Sequence, residues 1–448
     1  MSDRLASTID RTIKAGAFGA FQLRVALLCA VVTAFDGYDI TSAGIATPAL
    51  ADAWHLHPQA FTVTLTWGSV GLFLGAISSG LIGDRFGRKV SLVAVTALFG
   101  LFSVLCGLSV SVPMLTVMRF GAGLGLGATI PLAVALVSDY APSARHSQVV
   151  ASMVTGFPLG ALLGGLAASQ IVHRYGWSSI FLIGGIAPLL YVPILAWLLP
   201  ESIQVLARRE GLSGRVRALL AKMRIVLNSA EMAADGPEAP APVNTVAALF
   251  APRYAPRTAL VWIVLALHFL LASLLVSWMP SVFHAEGLST GQAILATIMF
   301  QPGALAGGLL VGWLCDRFGS EITLASAVLV GVLFVLALGL LPTPLVAKMV
   351  LIAGIGFGLG GSQASMNALA GAVYPPQFRA TGVGWALGAG RLGNIFGPLT
   401  GGLMLSVGGS PRAVILSAVA PAMMVMLALM GLRALRRRQR DAPLGPID

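Results

Sequence analysis

Two aspartates lie three residues apart in the middle of the first long apolar segment, in the run FDGYD that contains Asp36 and Asp39. The segment runs from about 23 to 46, which is long enough to cross the ~30 Å hydrocarbon core of a bilayer. On a helix, residues three apart share a face, so the two carboxylates lie within reach of each other. An ionisable side chain at that depth costs at least ~2.5 kcal/mol, so a functional role is the default interpretation. The pair predicts a proton site facing a watery cavity.

Two arginines lie within other apolar segments. Arg119 falls early in the fourth segment, and Arg391 lies deep in the eleventh. Because exposure of an arginine to lipid is costly, both are expected to face the protein interior. Arg119 could pair with Asp36 or Asp39 and hold that acid ionised until protonation breaks the pair. Arg391 could grip a carboxylate through two parallel hydrogen bonds.

Each of these assignments has a structural alternative. One aspartate could hydrogen-bond a neighbouring helix, and each arginine could form a static salt bridge between helices. Aromatic and amide side chains in the apolar segments could line a cavity that stacks a ring and satisfies its hydroxyls, or could serve interhelical packing alone. The candidate substrate-binding residues are Arg391, Trp385, Asn394, Trp67, Gln363 and Asn367.

The composition indicates which elements must position these residues. Apolar residues make up 57% of the 448 positions, charged residues make up 10%, and the mean hydropathy is +0.87. Soluble domains carry about 25% charged residues. The pattern predicts an all-α membrane protein with twelve transmembrane helices, the first of them retained and not a cleaved signal peptide. The apolar segments lie near 23–46, 60–83, 90–109, 113–139, 149–172, 178–199, 258–282, 291–314, 321–341, 345–373, 380–407 and 412–432.

The basic residues indicate topology. When the connections are assigned alternately to two sides, all but five of the 28 Lys and Arg fall on the side that carries both termini. By the positive-inside rule, both termini are expected in the cytoplasm, and the net charge of +11 is not a nucleic-acid footprint. The five others lie in spans or on the opposite side: Arg119, Arg174, Lys348, Arg391 and Arg412.

The chain repeats itself in two halves. The run GDRFGRK at 83–89 follows the second span, and CDRFGSE at 315–321 follows the eighth. Glycine-rich runs at 121–127 and 354–360 occupy the fourth and tenth spans. Parallel repeats of this kind enclose a site near the midplane of the membrane. The predicted domains are an N-terminal six-helix bundle at 1–200, a cytoplasmic loop at 201–257, and a C-terminal six-helix bundle with a basic cytoplasmic tail at 258–448.

Within the loop, 203–223 mixes apolar and basic residues, which favours a short helix on the inner membrane surface. The part at 228–242 is rich in Ala, Pro and acid and is interpreted as a linker. The three cysteines are scattered and predict neither a disulfide framework nor a metal site. The glycine spacing follows no strand, so it implies no nucleotide loop, and no cofactor is expected.

The run from Gly80 to Lys89 resembles the signature that follows helix two in the major facilitator superfamily, and Arg119 to Gly123 is similar to its helix-four signature. The second copy lacks the trailing basic pair. The resemblance implies two six-helix bundles that alternate access. The same motifs predict a cytoplasmic latch that governs conformational switching and does not touch substrate. Its predicted members are Gly80, Asp84, Arg85, Gly87, Arg88, Asp139, Asp316 and Arg317.

Within that superfamily, the run from Asp36 to Asp39 resembles the D-G-x-D signature of the aromatic acid:proton symporters. That subgroup commonly has Glu where this chain has Asp139. The resemblance implies a monomer in a bacterial cytoplasmic membrane that takes up a small aromatic carboxylate, such as a benzoate or hydroxybenzoate, together with protons. It also implies that Asp36 and Asp39 form the proton and substrate site.

Other functions remain open from the residues alone. The first alternative is proton-coupled efflux, or uptake of another small organic metabolite or drug, by the same fold. A membrane-embedded enzyme is not favoured, because no paired nucleophile and base and no metal cluster appear in the sequence. A sensor without transport would show no accumulation of substrate.

Overall fold

The computed structural model describes residues 2–223, 225, 247, 249–374 and 379–441, and within these ranges the regular structure is helical. Before the central loop the chain forms a short amphipathic helix and then a series of long apolar ones. A 3₁₀ turn at Pro58–Phe61 precedes α3. The helices are α1 Ser2–Ala15, α2 Ala20–Trp54, α3 Thr62–Phe86, α4 Arg88–Gly107, α5 Val112–Tyr140, α6 His146–Val154, α7 Gly156–Tyr175, α8 Ser178–Leu198, α9 Ile203–Glu210 and α10 Gly214–Lys222.

The second half follows the same pattern. A π-helical turn at Gly356–Gly360 joins α15 to α16. The helices are α11 Ala255–Ala285, α12 Thr290–Ile298, α13 Phe300–Phe318, α14 Ser320–Leu340, α15 Leu345–Ile355, α16 Gly361–Val373, α17 Arg379–Ser406, α18 Pro411–Leu416 and α19 Val419–Asp441.

Eleven helical segments of the described chain are long and apolar enough to cross a membrane. The remaining predicted span, 380–407, coincides with α17, which has 28 residues and is long enough to span. This helix is rich in glycine and carries Arg391, which lowers its apolar character. The protein is a multi-pass, all-α membrane protein, as the sequence predicts.

Two predicted spans are interrupted at a proline. Pro158 and Pro302 each lack the backbone N–H that would bond to the carbonyl four residues earlier. Those earlier residues are Val154 and Ile298, where α6 and α12 end. The chain resumes at once as α7 and α13, so each span continues beyond its interruption.

Close helix contacts depend on residues without side chains. A Cβ placed on Gly160 of α7 would lie 1.8 Å from the backbone oxygen of Ala34, and one on Gly37 of α2 would lie 2.0 Å from that of Phe157. In the second half, a Cβ on Gly393 of α17 would lie 1.9 Å from the oxygen of Ala266. Small residues permit such backbone contact between membrane helices.

The described chain divides into two compact units. One comprises Met1–Ser42, Val70–Gly164 and Ser178–Pro240, and the other comprises Ala43–Ser69, Gly165–Trp177 and Ala241–Asp448. The predicted division into bundles at 1–200 and 258–448 stays a prediction. Where the sequence predicted one short helix at 203–223, the structure has two, α9 and α10, separated at Gly211, whose φ is +63°. The linker at 228–242 lies outside the described residues.

The first loop helix packs on the N-terminal helix. Ile9 and Ile13 of α1 and Ile203 of α9 are buried in one apolar cluster. Gln204 Nε2 donates to Asp10 Oδ1 at 2.6 Å. The start of the loop is therefore part of the first unit's core.

Candidate functional site

The aspartate pair of α2 is fully buried. Asp36 and Asp39 both have no solvent-exposed surface. Arg119 of α5 is 5% exposed, and its Nη1 lies 3.2 Å from Asp39 Oδ2, so the two side chains form a buried ion pair. The sequence predicted that Arg119 pairs with one of the two acids, and in the structure that acid is Asp39.

A serine of the neighbouring helix completes the carboxylate's contacts. Ser103 of α4 donates its hydroxyl to Asp39 Oδ1 at 2.6 Å and has no exposed surface. Each oxygen of Asp39 therefore accepts from a different helix. Hydrogen bonds and a nearby cation favour the charged form of a carboxylate, whereas burial disfavours it.

The guanidinium of Arg119 has further contacts besides the carboxylate. Its Nη1 lies 3.4 Å from Ser42 Oγ, and its Nη2 donates to the backbone oxygen of Asp39 at 3.2 Å. The guanidinium carbon lies 5.7 Å from the centre of the Phe181 ring of α8, which is cation–π distance. Cys106 of α4 lies beside Arg119 as well.

Close packing holds α2 in this position. Tyr38 Oη donates to the backbone oxygen of Ile180 in α8 at 2.7 Å. A Cβ on Gly184 of α8 would lie 3.0 Å from Asp39 Oδ1, so the absence of a side chain there leaves room for the carboxylate. The contacts of the FDGYD run thus fix the rotation of α2 relative to α8.

Sequence reasoning missed Ser42 and Ser103. A signal existed, because both are hydroxyl residues inside otherwise apolar spans and Ser42 lies one turn after Asp39. Serine is nevertheless common in membrane helices, where it often bonds its own backbone. Only the packing of α4 on α2 shows that Ser103 faces the carboxylate.

The predicted latch of the first half forms a second polar cluster. Arg88, at the start of α4, forms an ion pair with Asp139 of α5 and donates to the backbone oxygen of Ala135 at 2.8 Å. Ser202 donates to the other oxygen of Asp139. The structure therefore brings Arg88 and Asp139 together, with the first residues of the loop as additional partners.

Gly87 is the residue of this cluster whose backbone requires glycine. Its φ is +102°, and a Cβ there would lie 2.5 Å from a carboxylate oxygen of Glu201. Glu201 Oε1 accepts from the backbone N–H of Lys89 at 3.0 Å and of Ser202 at 2.8 Å. The glycine thus lets Glu201 reach the start of α4.

The other predicted latch residues lie at the surface. Asp84 and Arg85 are exposed, and their backbone carbonyls accept from Arg209 of α9. Gly80 has open space around its Cα. In the second half, Asp316 and Arg317 are also exposed, and Arg317 lies over the ring of Trp313 at 5.4 Å. Among the residues that the structure describes, Arg317 does not form an ion pair with an acid as Arg88 does with Asp139.

The predicted substrate-binding residues are spread over several helices. Trp385 of α17 is about half exposed and stacks on Trp262 of α11, with ring centres 5.9 Å apart and planes at 10°. In α16, Gln363 Nε2 donates to Asn367 Oδ1 at 3.4 Å. Trp67 of α3 is likewise about half exposed.

Arg391 and Asn394 lie one turn apart on α17, and both are partly buried. The backbone oxygen of Asn394 accepts from Ser273 of α11 at 3.0 Å. In the part of the chain that the structure describes, no group of three or more His, Cys, Asp or Glu could hold a metal ion.

Residues 29–362 match the family model described as the Major Facilitator Superfamily. The chain belongs to that family, whose fold and transport activity the sequence predicted. Family membership also makes the protein a transporter and not an enzyme.

Two relatives are similar over nearly the whole chain. The gallate transporter of Pseudomonas putida is 35% identical over 431 residues, which cover 95% of each chain. The 4-hydroxybenzoate transporter PcaK of Pseudomonas aeruginosa is 35% identical over 426 residues, which cover 94% of this chain and 95% of the relative. Among solved structures, the xylose transporter XylE from E. coli aligns with a TM-score of 0.70 at 17% identity, covering 93% of this chain and 98% of that one. The last match supports the fold alone.

Proposed function

We propose that the protein takes up a small aromatic carboxylate, such as a benzoate or hydroxybenzoate, across a bacterial cytoplasmic membrane together with protons. The buried Asp39–Arg119 pair with its Ser103 contact is the observation that carries the proposal. A buried carboxylate loses its charge by gaining a proton, and this removes its electrostatic attraction to the paired arginine. The names of the relatives support an aromatic acid as the substrate.

In this proposal, Asp36, Asp39 and Arg119 couple proton movement to transport. The substrate binds near Arg391 and the aromatic and amide residues already described, and the protein acts as a monomer. The cluster of Arg88 and Asp139 opens and closes with the conformational change. Both termini lie in the cytoplasm, as the distribution of Lys and Arg predicts.

Uptake into proteoliposomes tests the proposal. The wild-type protein is expected to accumulate benzoate-like acids when the outside is made more acidic. Asp36→Asn and Asp39→Asn are expected to reach the membrane but to lose gradient-driven accumulation. Glu210→Gln, which changes a loop acid that pairs with Arg215, serves as the matched control and should transport like wild type. Wild-type accumulation in both Asn variants would refute the proton role.

The second candidate is efflux of a drug or metabolite by the same fold. The direction of substrate movement under an imposed pH gradient separates the two. Net export of the acid from cells toward the more acidic side would support efflux and contradict uptake.

A further inference from the structure

A groove lies on the surface of the first unit between α2 and α8, hereafter the α2–α8 groove. Its lining includes the exposed side chains of Leu23, Leu27 and Val31, which follow one another at intervals of one turn along α2. Leu28 of α2 and Tyr191 of α8 line it as well. Tyr191 Oη donates to the backbone oxygen of Leu28 at 3.3 Å, so a hydrogen bond joins the two helices at the groove.

The α2–α8 groove faces away from the core of its unit. On the other side of α2, Val25, Cys29 and Val32 are buried in the apolar cluster of the first unit. Because α2 crosses the membrane, the surroundings of this outer face are lipid. The leucine and valine side chains of the groove offer no hydrogen bond to a polar molecule, so they suit a hydrocarbon chain.

The size of the groove fits the same kind of occupant. Its volume is about 280 Å³, at the small end for ligand pockets. Such a volume suits part of a chain that lies along the protein surface better than an enclosed small molecule.

Arg24 lies at the end of the α2–α8 groove that is nearest the start of α2. Its Nη2 donates to the backbone oxygen of Leu198, the last residue of α8, at 2.5 Å, which fixes the position of the guanidinium. An arginine has five N–H donors, and this contact uses one of its nitrogens. In the part of the chain that the structure describes, no acid lies within ion-pair distance of Arg24. The groove therefore combines an apolar lining with a cation at one end.

We propose that the α2–α8 groove binds an anionic phospholipid, with its phosphate on Arg24 and one acyl chain between the two helices. With the termini in the cytoplasm, as under the proposed function, Arg24 lies at the headgroup level of the inner leaflet, where anionic lipids attract basic residues. A guanidinium can donate two parallel hydrogen bonds to a phosphate. Val31 lies about 10 Å further along α2, so the groove covers the part of the chain next to the headgroup.

The net charge of the headgroup distinguishes this occupant from a neutral phospholipid. Phosphatidylcholine carries a cation of its own beside the phosphate, so it gains less from Arg24. A free phosphate ion gains nothing from the leucine and valine side chains of the groove. An anionic phospholipid is the occupant that uses both the cation and the apolar lining.

Native mass spectrometry of the delipidated full-length protein tests the proposal, with phosphatidylglycerol, phosphatidylcholine and glycerol 3-phosphate as probes. The wild type is expected to bind its first phosphatidylglycerol about fivefold more tightly than phosphatidylcholine with the same chains, which is the contribution of one basic residue at an anionic surface. Glycerol 3-phosphate carries the charge without the chains, so it should not displace the lipid.

Four variants separate the charge from the groove. Arg24→Gln should bind the two lipids equally, whereas Arg24→Lys keeps the charge and should retain the preference for phosphatidylglycerol. Arg215→Gln, which removes an exposed arginine of α10, is the matched control and should bind like wild type. Leu27→Trp fills the groove, so it should weaken binding of both lipids although Arg24 is intact.

Three results would overturn the proposal: equal binding of both lipids by the wild type, a wild-type preference in Arg24→Gln, or wild-type binding by Leu27→Trp. Displacement of the lipid by glycerol 3-phosphate would mean that the site holds a small anion and not a phospholipid. Because these measurements read lipid binding and not transport, failure of this inference leaves the proposed uptake of an aromatic acid untouched.

Discussion

Asp36 and Asp39 share a helix face and are equally buried, but the described contacts give Asp39 a distinct position. Its two oxygens accept from two different helices, through Ser103 and Arg119. The sequence predicted that an arginine pairs with one of the acids, because an unpaired charge inside a membrane span is energetically costly. It could not predict which acid, since that depends on how α5 and α2 are rotated against each other.

Ser103→Ala is expected to move the pH dependence of uptake toward alkaline pH. The ionised carboxylate of Asp39 would lose a donor, so it would take up a proton at a higher pH. A hydrogen bond to a charged group is worth about 1.5 kcal/mol, which corresponds to a shift on the order of one pH unit. Initial uptake rates measured over a pH series report the midpoint.

Thr96→Val is the matched control for that change. Thr96 is a fully buried hydroxyl residue of the same helix, and it donates to the backbone oxygen of Leu92 within α4. The pH midpoint of uptake by the Thr96→Val variant should equal that of the wild type. A Ser103→Ala variant with lower uptake but an unshifted midpoint would mean that Ser103 acts only in packing.

At the scale of elements, a charged cluster ties three helices of the second half together. Glu286, just after α11, pairs with Lys348 of α15 and with Arg412 of α18, whose Nε lies 2.9 Å from Oε1. Burial raises the pKa of Glu286, but hydrogen bonds from Lys348 and Arg412 and their charges outweigh it, so the pKa lies below its ordinary 4.5. The distribution of Lys and Arg in the sequence places Lys348 and Arg412 in spans or on the side opposite most other basic residues. It gives no indication that both pair with Glu286.

Glu286→Gln is expected to lower the thermal stability of the purified protein. Lys348 is 6% exposed and would lose its counter-charge, and breaking such a pair costs about 3 kcal/mol. Arg412→Gln is the matched control and should cost less, because the Arg412 side chain is 45% exposed. Thermal unfolding of each purified variant in detergent at neutral pH measures both losses of stability.

The pH dependence of the same cluster has a definite sign. Since the pKa of Glu286 is lowered in the folded protein, its stabilising effect is present above the ordinary value of 4.5. It is lost as the pH falls below that value through the lower folded pKa. The stability difference between wild type and Glu286→Gln should therefore shrink in acid, and a difference that grows in acid would contradict the assignment.

The helices themselves were largely predictable, and their interruptions less so. Long apolar runs, the repeated motifs and the glycine-rich segments identified the spans because membrane insertion depends on length and hydropathy. The breaks at Val154 and Ile298 follow from Pro158 and Pro302, which apolar content alone does not reveal. The contacts of Glu201 with the start of α4 join the loop to a distant turn, and no local pattern encodes such a contact.

For the protein as a whole, the proposed function requires that substrate and protons cross the membrane together. A dissolved aromatic acid can also cross a bilayer unaided in its protonated form and carry a proton with it. The measurement must therefore separate protein-mediated movement from this leak, which protein-free vesicles and a poorly permeant acid such as gallate allow.

The most direct test follows the internal pH of proteoliposomes after gallate or 4-hydroxybenzoate is added outside without any imposed gradient. The wild-type protein should acidify the lumen beyond the protein-free control while labelled acid enters. Asp39→Asn, which imitates a permanently protonated site, should exchange labelled for unlabelled acid across the membrane but move no protons. Entry of the acid through the wild-type protein without acidification of the lumen would contradict proton-coupled uptake.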